Sequence, residues 1–175
     1  ANTIYGSLTL VSTMGTPTID ATTTFEGRGA FTLTSAGKAI NRSAIRIDMV
    51  GYSLTLNDAL TVSAAIGNGV FNHVYGTFDA NDFNVNVNHF QSNSTTTRRV
   101  DMGSGTWTLA GSDSVQSVWI AGSTAQTLNS ETSTIVISNL STTAKTFAGA
   151  GLTYYNLKIN MDSTSGTQII TGANT

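Results

Sequence analysis

The chain has 175 residues, a net charge of −2, no cysteine, and only 10% charged residues, where about 25% is usual. That length suits one domain with a core of its own. The missing cysteines exclude a disulfide framework and a thiolate zinc site. The acidic balance, with Arg98-Arg99 the only adjacent basic pair, speaks against a nucleic-acid-binding face. Thr, Ser and Asn number 30, 19 and 15, so the polar surface is built from hydroxyls and amides. No apolar run reaches the roughly 18 residues of a membrane span. The opening residues carry neither a basic n-region nor an apolar h-region, so no signal peptide is expected within them.

In chain order the pattern is one of short alternating strands. Leu8 and Leu10 alternate with Ser7 and Thr9. Gly37 to Ile47 is the best stretch for a helix, but it is short and has Asn and Ser inside it. Ile45, Ile47 and Met49 then alternate with Arg46 and Asp48, and Leu54, Leu56, Leu60 and Val62 continue the theme. Phe83, Val85 and Val87 alternate with Asn84, Asn86 and Asn88. Further strands follow at Trp107 and Leu109, at Ile135 and Ile137, and at Tyr155, Leu157 and Ile159. Turn signals separate them: Asn57-Asp58, Gly67-Asn68-Gly69, Ala80-Asn81-Asp82, Gly111-Ser112-Asp113 and Gly149-Ala150-Gly151.

The pattern repeats. Thr55-Leu56-Asn57 before Leu60-Thr61-Val62-Ser63 matches Thr127-Leu128-Asn129 before Ile135-Val136-Ile137-Ser138. Ser94 to Arg98 resembles Ser141 to Lys145, 47 residues on, which fits two solenoid coils of roughly 20 to 25 residues each. The fold expected is all-β, a parallel β-helix-like solenoid, with a β-sandwich as the alternative. The scarcity of Asn-Gly and Asp-Gly hairpin signals favours the solenoid. So does the low charge, since like charges stacked about 4.8 Å apart would repel. Ala1-Asn2-Thr3 and Ala173-Asn174-Thr175 read as one repeat phase, so residues 1–175 are expected to be a single repetitive domain sliced from a longer protein.

The segments GTFDANDFNVNV (76–87), MGSGTWTLAG (102–111), STIVIS (133–138) and AKTFAGAGLTYYNLKI (144–159) resemble a repeat region of tail-fibre and other virion structural proteins of tailed bacteriophages. The resemblance runs from about residue 54 to the end, departs slightly at Gly149-Ala150-Gly151 and Tyr154-Tyr155-Asn156, and is loose over the first 50 residues. It implies a surface-exposed fibre or spike component of a virion that supports host attachment. It carries over no catalytic residue. Similar repeats occur in bacterial adhesins, so a surface adhesin or glycan-binding module is the runner-up, and a polysaccharide depolymerase the third reading.

Candidate site residues are few. Asp79 and Asp82, with Asn81, offer oxygen ligands for Ca²⁺, but no complete calcium motif is present and an Asx-turn is the favoured reading. His73 and His89 are the two histidines; isolated surface or strand positions explain them as well as acid–base work does. Glu26, Glu131 and the aspartates are the acids that could supply a carboxylate pair for glycan hydrolysis, yet no two acids fall on a shared repeated face. Trp107, Trp119, Tyr154 and Tyr155 are possible sugar platforms, Trp119 and Tyr154 foremost, with a role in core or interface favoured. Three sequons, at Asn41, Asn93 and Asn139, are near the chance rate for this composition. No cofactor is expected. The partners expected are further copies in a homotrimer, through Val118, Ile120 and Tyr155, other virion proteins, and a host surface glycan.

Overall fold

A computed structural model describes residues 1–17, 22–41, 44–63, 69–111, 117–138, 142–160 and 166–172. Every described ladder is parallel, and no helix occurs among the described residues. The chain is a β-solenoid of about six turns, so the solenoid expectation holds and the sandwich, which needs antiparallel pairs, does not.

Each coil visits up to three faces. The first coil supplies β1 (Asn2–Ile4) and β2 (Leu8–Thr9); the second, β3 (Thr23–Phe25), β4 (Ala30–Thr34) and β5 (Ala39–Asn41). In the third, β6 (Ala44–Leu56) bends from the first face onto the second and β7 (Leu60–Ser63) forms the third. The fourth repeats this with β8 (Val70–Asp79) and β9 (Val85–Val87). The fifth has β10 (His89–Ser92), β11 (Arg98–Asp101) and β12 (Thr106–Leu109), and the sixth β13 (Ser117–Ala121), β14 (Gln126–Asn129) and β15 (Thr134–Ile137). Then β16 (Lys145–Ala148) and β17 (Asn156–Ile159) add to the first and third faces, and β18 (Gln168–Thr171) to the first again. Because β6 and β8 run unbroken round the corner, the first two faces form one 12-stranded sheet, and the third is a six-stranded sheet of its own.

The alternation read from the sequence is the in–out pattern of these strands. Leu60, Val85, Trp107 and Ile135 pair in one inward row of the third face, and all are buried. This places Leu60–Ser63 and Ile135–Ser138 in the same phase, as the sequence repeat requires. The other repeat is out of phase: Ser94 to Thr97 leads into β11 on the second face, whereas Thr142 to Ala144 leads into β16 on the first. The proposed helical stretch is strand instead, β5 and the start of β6, with residues 42–43 outside the description. Of the expected turns, Gly67-Asn68 and Ser112-Asp113 also lie outside the described residues, as do the sequon residues 42–43 and 139–141 and the closing residues 173–175. Two of the others turn through positive φ, at Asn81, Asp82, Ala150 and Gly151, and Asn57-Asp58 is a bend.

Aromatic side chains fill the middle of the solenoid. Phe71, Phe90, Trp119 and Phe147 occupy one inward row of the first face in register. Successive rings stack with centroids 5.8, 4.2 and 5.7 Å apart. Trp107 reaches in from the third face and meets Phe90 and Trp119 edge-on at 5.5 and 5.9 Å. Phe78, from the second face, meets Trp107 edge-on at 5.9 Å. Each such pair adds about 0.5–1.5 kcal/mol beyond the area it buries. Alternation is lost at the last coil, where Ile159 and Tyr155 are exposed: β17 is the edge strand of the third face among the described residues.

Candidate functional site

The aromatic candidates are structural. Trp119 is fully buried between Phe90 and Phe147, so it has no open face for a sugar. Its Nε1 donates to the Tyr154 hydroxyl at 3.1 Å, and that hydroxyl donates to the Gly149 carbonyl at 2.9 Å. Tyr154 is half-buried and its pKa is pushed up to about 12, mainly by burial. This pair ties β13 to the turn after β16. Trp107 is equally buried and donates to the Met102 carbonyl at 3.2 Å.

The acidic turn is occupied by its own backbone. Asp79 Oδ1 accepts from the Asn81 amide at 2.8 Å, which is the Asx-turn geometry, and Asp82 Oδ1 accepts from the Ser104 amide of the next coil at 2.7 Å. No group of three or more metal-ligating side chains occurs among the described residues. Of the interface candidates, Val118 is fully buried and therefore points into the core, contrary to expectation. Ile120, two residues on and in the outward phase, is partly exposed, and Tyr155 is 59% exposed.

Two findings run against the sequence reading. First, carboxylates do meet on neighbouring coils. Asp79 pairs in register with Asp101, and Glu26 follows Phe25, whose partner Ile47 precedes Asp48. Arg99 compensates the first pair: its guanidinium lies 2.8 Å from Asp101, which with Asp79 and Glu131 holds its pKa above the ordinary arginine value. Glu26 and Glu131 are four coils apart, roughly 19 Å along the axis, too far for the hydrolytic spacing of about 5–9.5 Å. Second, the histidines are not at the surface. His73 and His89 are fully buried, as are Arg98 and Lys145.

Arg98 is the centre of a built polar corner between the first and second faces. It stands in phase with Val100, and so points inward. Its Nε donates to Ser92 Oγ at 2.9 Å. Nη1 donates to the carbonyls of Ser94, Thr96 and Thr124, the last two at 2.9 and 3.2 Å. Nη2 donates to the Ser92 carbonyl at 2.8 Å and to Gln126 Oε1 at 3.2 Å. None of these acceptors is a carboxylate, and burial lowers the pKa of the guanidinium. His73 sits beside it, with Nε2 3.0 Å from the Gly76 carbonyl and Nδ1 3.4 Å from Ser92 Oγ. Its pKa is lowered to about 4, first by burial and then by the nearby Arg98 charge, against the raising effect of the Gly76 carbonyl. The corner binds carbonyls left over where the chain turns. Its guanidinium is buried, though the corner abuts an open cleft beside it.

The most accessible constellation lies just outside this corner. Between Asp48 and Ser53, strand β6 slips its register against β8, and the surplus residues loop outward. Gly51 has φ 76°, and Val50 and Tyr52 are 60% and 42% exposed. Gly76 lies beneath with φ 85°; a Cβ there would stand 2.1 Å from the Met49 carbonyl oxygen. The Val50–Tyr52 tip separates two clefts. One, of about 520 Å³, is lined by Glu26, Gly27, Arg28 and Asp48. The other, of about 530 Å³, is lined by Tyr75, Thr77, Thr97, Arg98, Arg99 and Thr127. Asp48 is engaged by Arg46 at 2.9 Å. Glu26 and Arg28 are exposed and make no ion pair with a described residue. Sequence reasoning weighed Glu26 only for hydrolysis; the register slip that builds the tip has a signal only in Gly51 interrupting the alternation.

No family model matches the chain, and comparison with curated proteins and with solved structures returned no match. What fold and site define together is therefore a class: an all-parallel β-solenoid with an aromatic core, a buried polar corner and an open pair of lateral clefts.

Proposed function

We propose that this chain is a non-catalytic structural segment of a fibre or spike on the virion surface of a tailed bacteriophage. Its role there is to hold host-contacting parts on a stiff, protease-resistant shaft. The observation that carries the reading is the parallel ladder with largely uncharged outward rows. On the third face the outward row runs Thr61, Asn86, Thr108, Val136, Lys158; on the second, Ser53, Thr77, Arg99, Thr127. Each coil braces its neighbours through backbone bonds along one axis, which is a stiff rod by construction. The resemblance of residues 102–111 and 144–159 to virion repeats points the same way. Homotrimerisation is part of the proposal, with Ile120 and Tyr155 outward in the structure and Val118 withdrawn. No catalytic step is assigned, because neither Glu26 nor Asp48 is enclosed in the apolar setting that a general acid uses. Mass spectrometry of purified phage particles that contain the parent protein would support the reading. Finding the parent only on bacterial envelopes, beside secretion components, would replace it with a bacterial surface adhesin, which the lateral clefts also suit.

A further inference from the structure

We propose that the two clefts flanking the Val50–Tyr52 tip form one binding groove for an uncharged oligosaccharide lying along the solenoid axis. Four observations carry this. Each cleft falls within the range of about 300–1,000 Å³ usual for small-ligand sites. Together they run from the second coil at Glu26 to the sixth at Thr127, roughly 19 Å at about 4.8 Å per coil, which calls for an elongated ligand. The tip presents Tyr52, an exposed ring with an apolar face and a polar edge, and Tyr75 lines the far side. The remaining lining is rich in hydrogen-bonding groups at both ends, with Glu26 and Arg28 free of ion pairs to described residues and Thr77, Thr97 and Thr127 opposite.

Charge selects the ligand class. Asp48 is balanced by Arg46 and Arg99 by Asp101, and Glu26 and Arg28 cancel each other; Arg98 also lines the second cleft, but it is 1% exposed and its donors are turned onto the corner carbonyls. The solvent-facing side chains of the groove therefore carry no net charge, while its exposed carboxylate and guanidinium suit the paired hydroxyls of a sugar. An extended peptide is disfavoured because β3, β6, β8 and β11, which floor the groove, are hydrogen-bonded to strands on both sides and leave no backbone edge to extend. The proposal takes its biological setting from the reading of the chain as a host-attachment component, but the binding does not depend on assembly.

The test is titration of the whole chain with a panel of neutral hexasaccharides (glucans, mannans, galactans and N-acetylglucosamine oligomers), read by calorimetry and by the ring resonances of Tyr52. Tyr52→Ala, Tyr52→Phe and Glu26→Gln are compared, each checked for an unchanged melting temperature. Binding by at least one oligosaccharide is expected, weakened about five- to tenfold by Tyr52→Ala, less by Tyr52→Phe, and weakened also by Glu26→Gln. No binding across the panel, binding indifferent to both Tyr52→Ala and Glu26→Gln, or preferential capture of an uncharged peptide would each overturn it. The two proposals fail separately: a chain that forms trimers but binds no sugar overturns the groove alone, and a monomer that binds sugar overturns the fibre alone.

Discussion

Arg98→Met keeps much of the side-chain volume and removes every donor. Four backbone carbonyls, those of Ser92, Ser94, Thr96 and Thr124, then lose their guanidinium partner, that of Ser92 in a fully buried bond and the other three in partly buried ones. An unpaired buried acceptor costs about 1–3 kcal/mol, so about 4–12 kcal/mol is the upper range for the four together, and the three partly buried ones cost less because water can replace the donor. Two effects pull the value to the low end: the corner can admit water, and methionine removes the cost of burying a cation that has no carboxylate among the hydrogen-bond partners described above. The expected loss is about 4 kcal/mol, large against the roughly 5–15 kcal/mol that holds a domain. Arg98→Lys keeps the charge but only three donors on a point head, and is expected to lose about half as much. The assay is urea unfolding followed by circular dichroism and by tryptophan fluorescence, since Trp107 and Trp119 lie in the adjoining core. A loss under about 1 kcal/mol for Arg98→Met, beneath the cost of even one orphaned carbonyl, would refute the reasoning.

His73 gives a pH signature. Its folded pKa, about 4, lies below the ordinary 6.5, so the unfolded chain binds the proton first. The stability tied to neutral His73 is complete above about pH 6.5 and is lost progressively as pH falls toward 4, roughly 3 kcal/mol in all. His73→Gln should flatten that part of the profile in thermal melts at stepped pH; an unchanged slope would show that other groups set it. Gly76→Ala should destabilise by about 2–4 kcal/mol, because a Cβ there would meet the Met49 carbonyl oxygen at 2.1 Å and the φ of 85° is costly for any L side chain. Equilibrium unfolding of that variant at or above wild-type stability would contradict the close approach beneath the tip.

The coils were legible because one inward phase is apolar almost throughout. Leu60 and Val62, Val85 and Val87, Trp107 and Leu109, Ile135 and Ile137 are all inward, each at a position that period-2 alternation assigns. The polar corner was not legible. Arg98 and His73 occupy inward phases, but a single arginine among serines and threonines looks like any solvated residue until the carbonyls of two coils are seen to converge on it. The out-of-phase match between residues 94–98 and 141–145 has a similar cause: Ser/Thr runs mark corners, and the solenoid has more than one corner per coil. Trp119 misled in the opposite direction. Its neighbours Val118 and Ala121 are also buried, and the register shift between Ser117 and Trp119 breaks the simple alternation there. The clefts owe their shape to a register slip that no composition reports.

The most direct test of the fibre proposal is the mass of the purified chain in solution by light scattering, with an unboiled detergent gel beside it. The account predicts a trimer that survives the detergent and falls to single chains only on boiling. A particle with the mass of one 18.3 kDa chain at every concentration, running as a monomer before boiling, would contradict it.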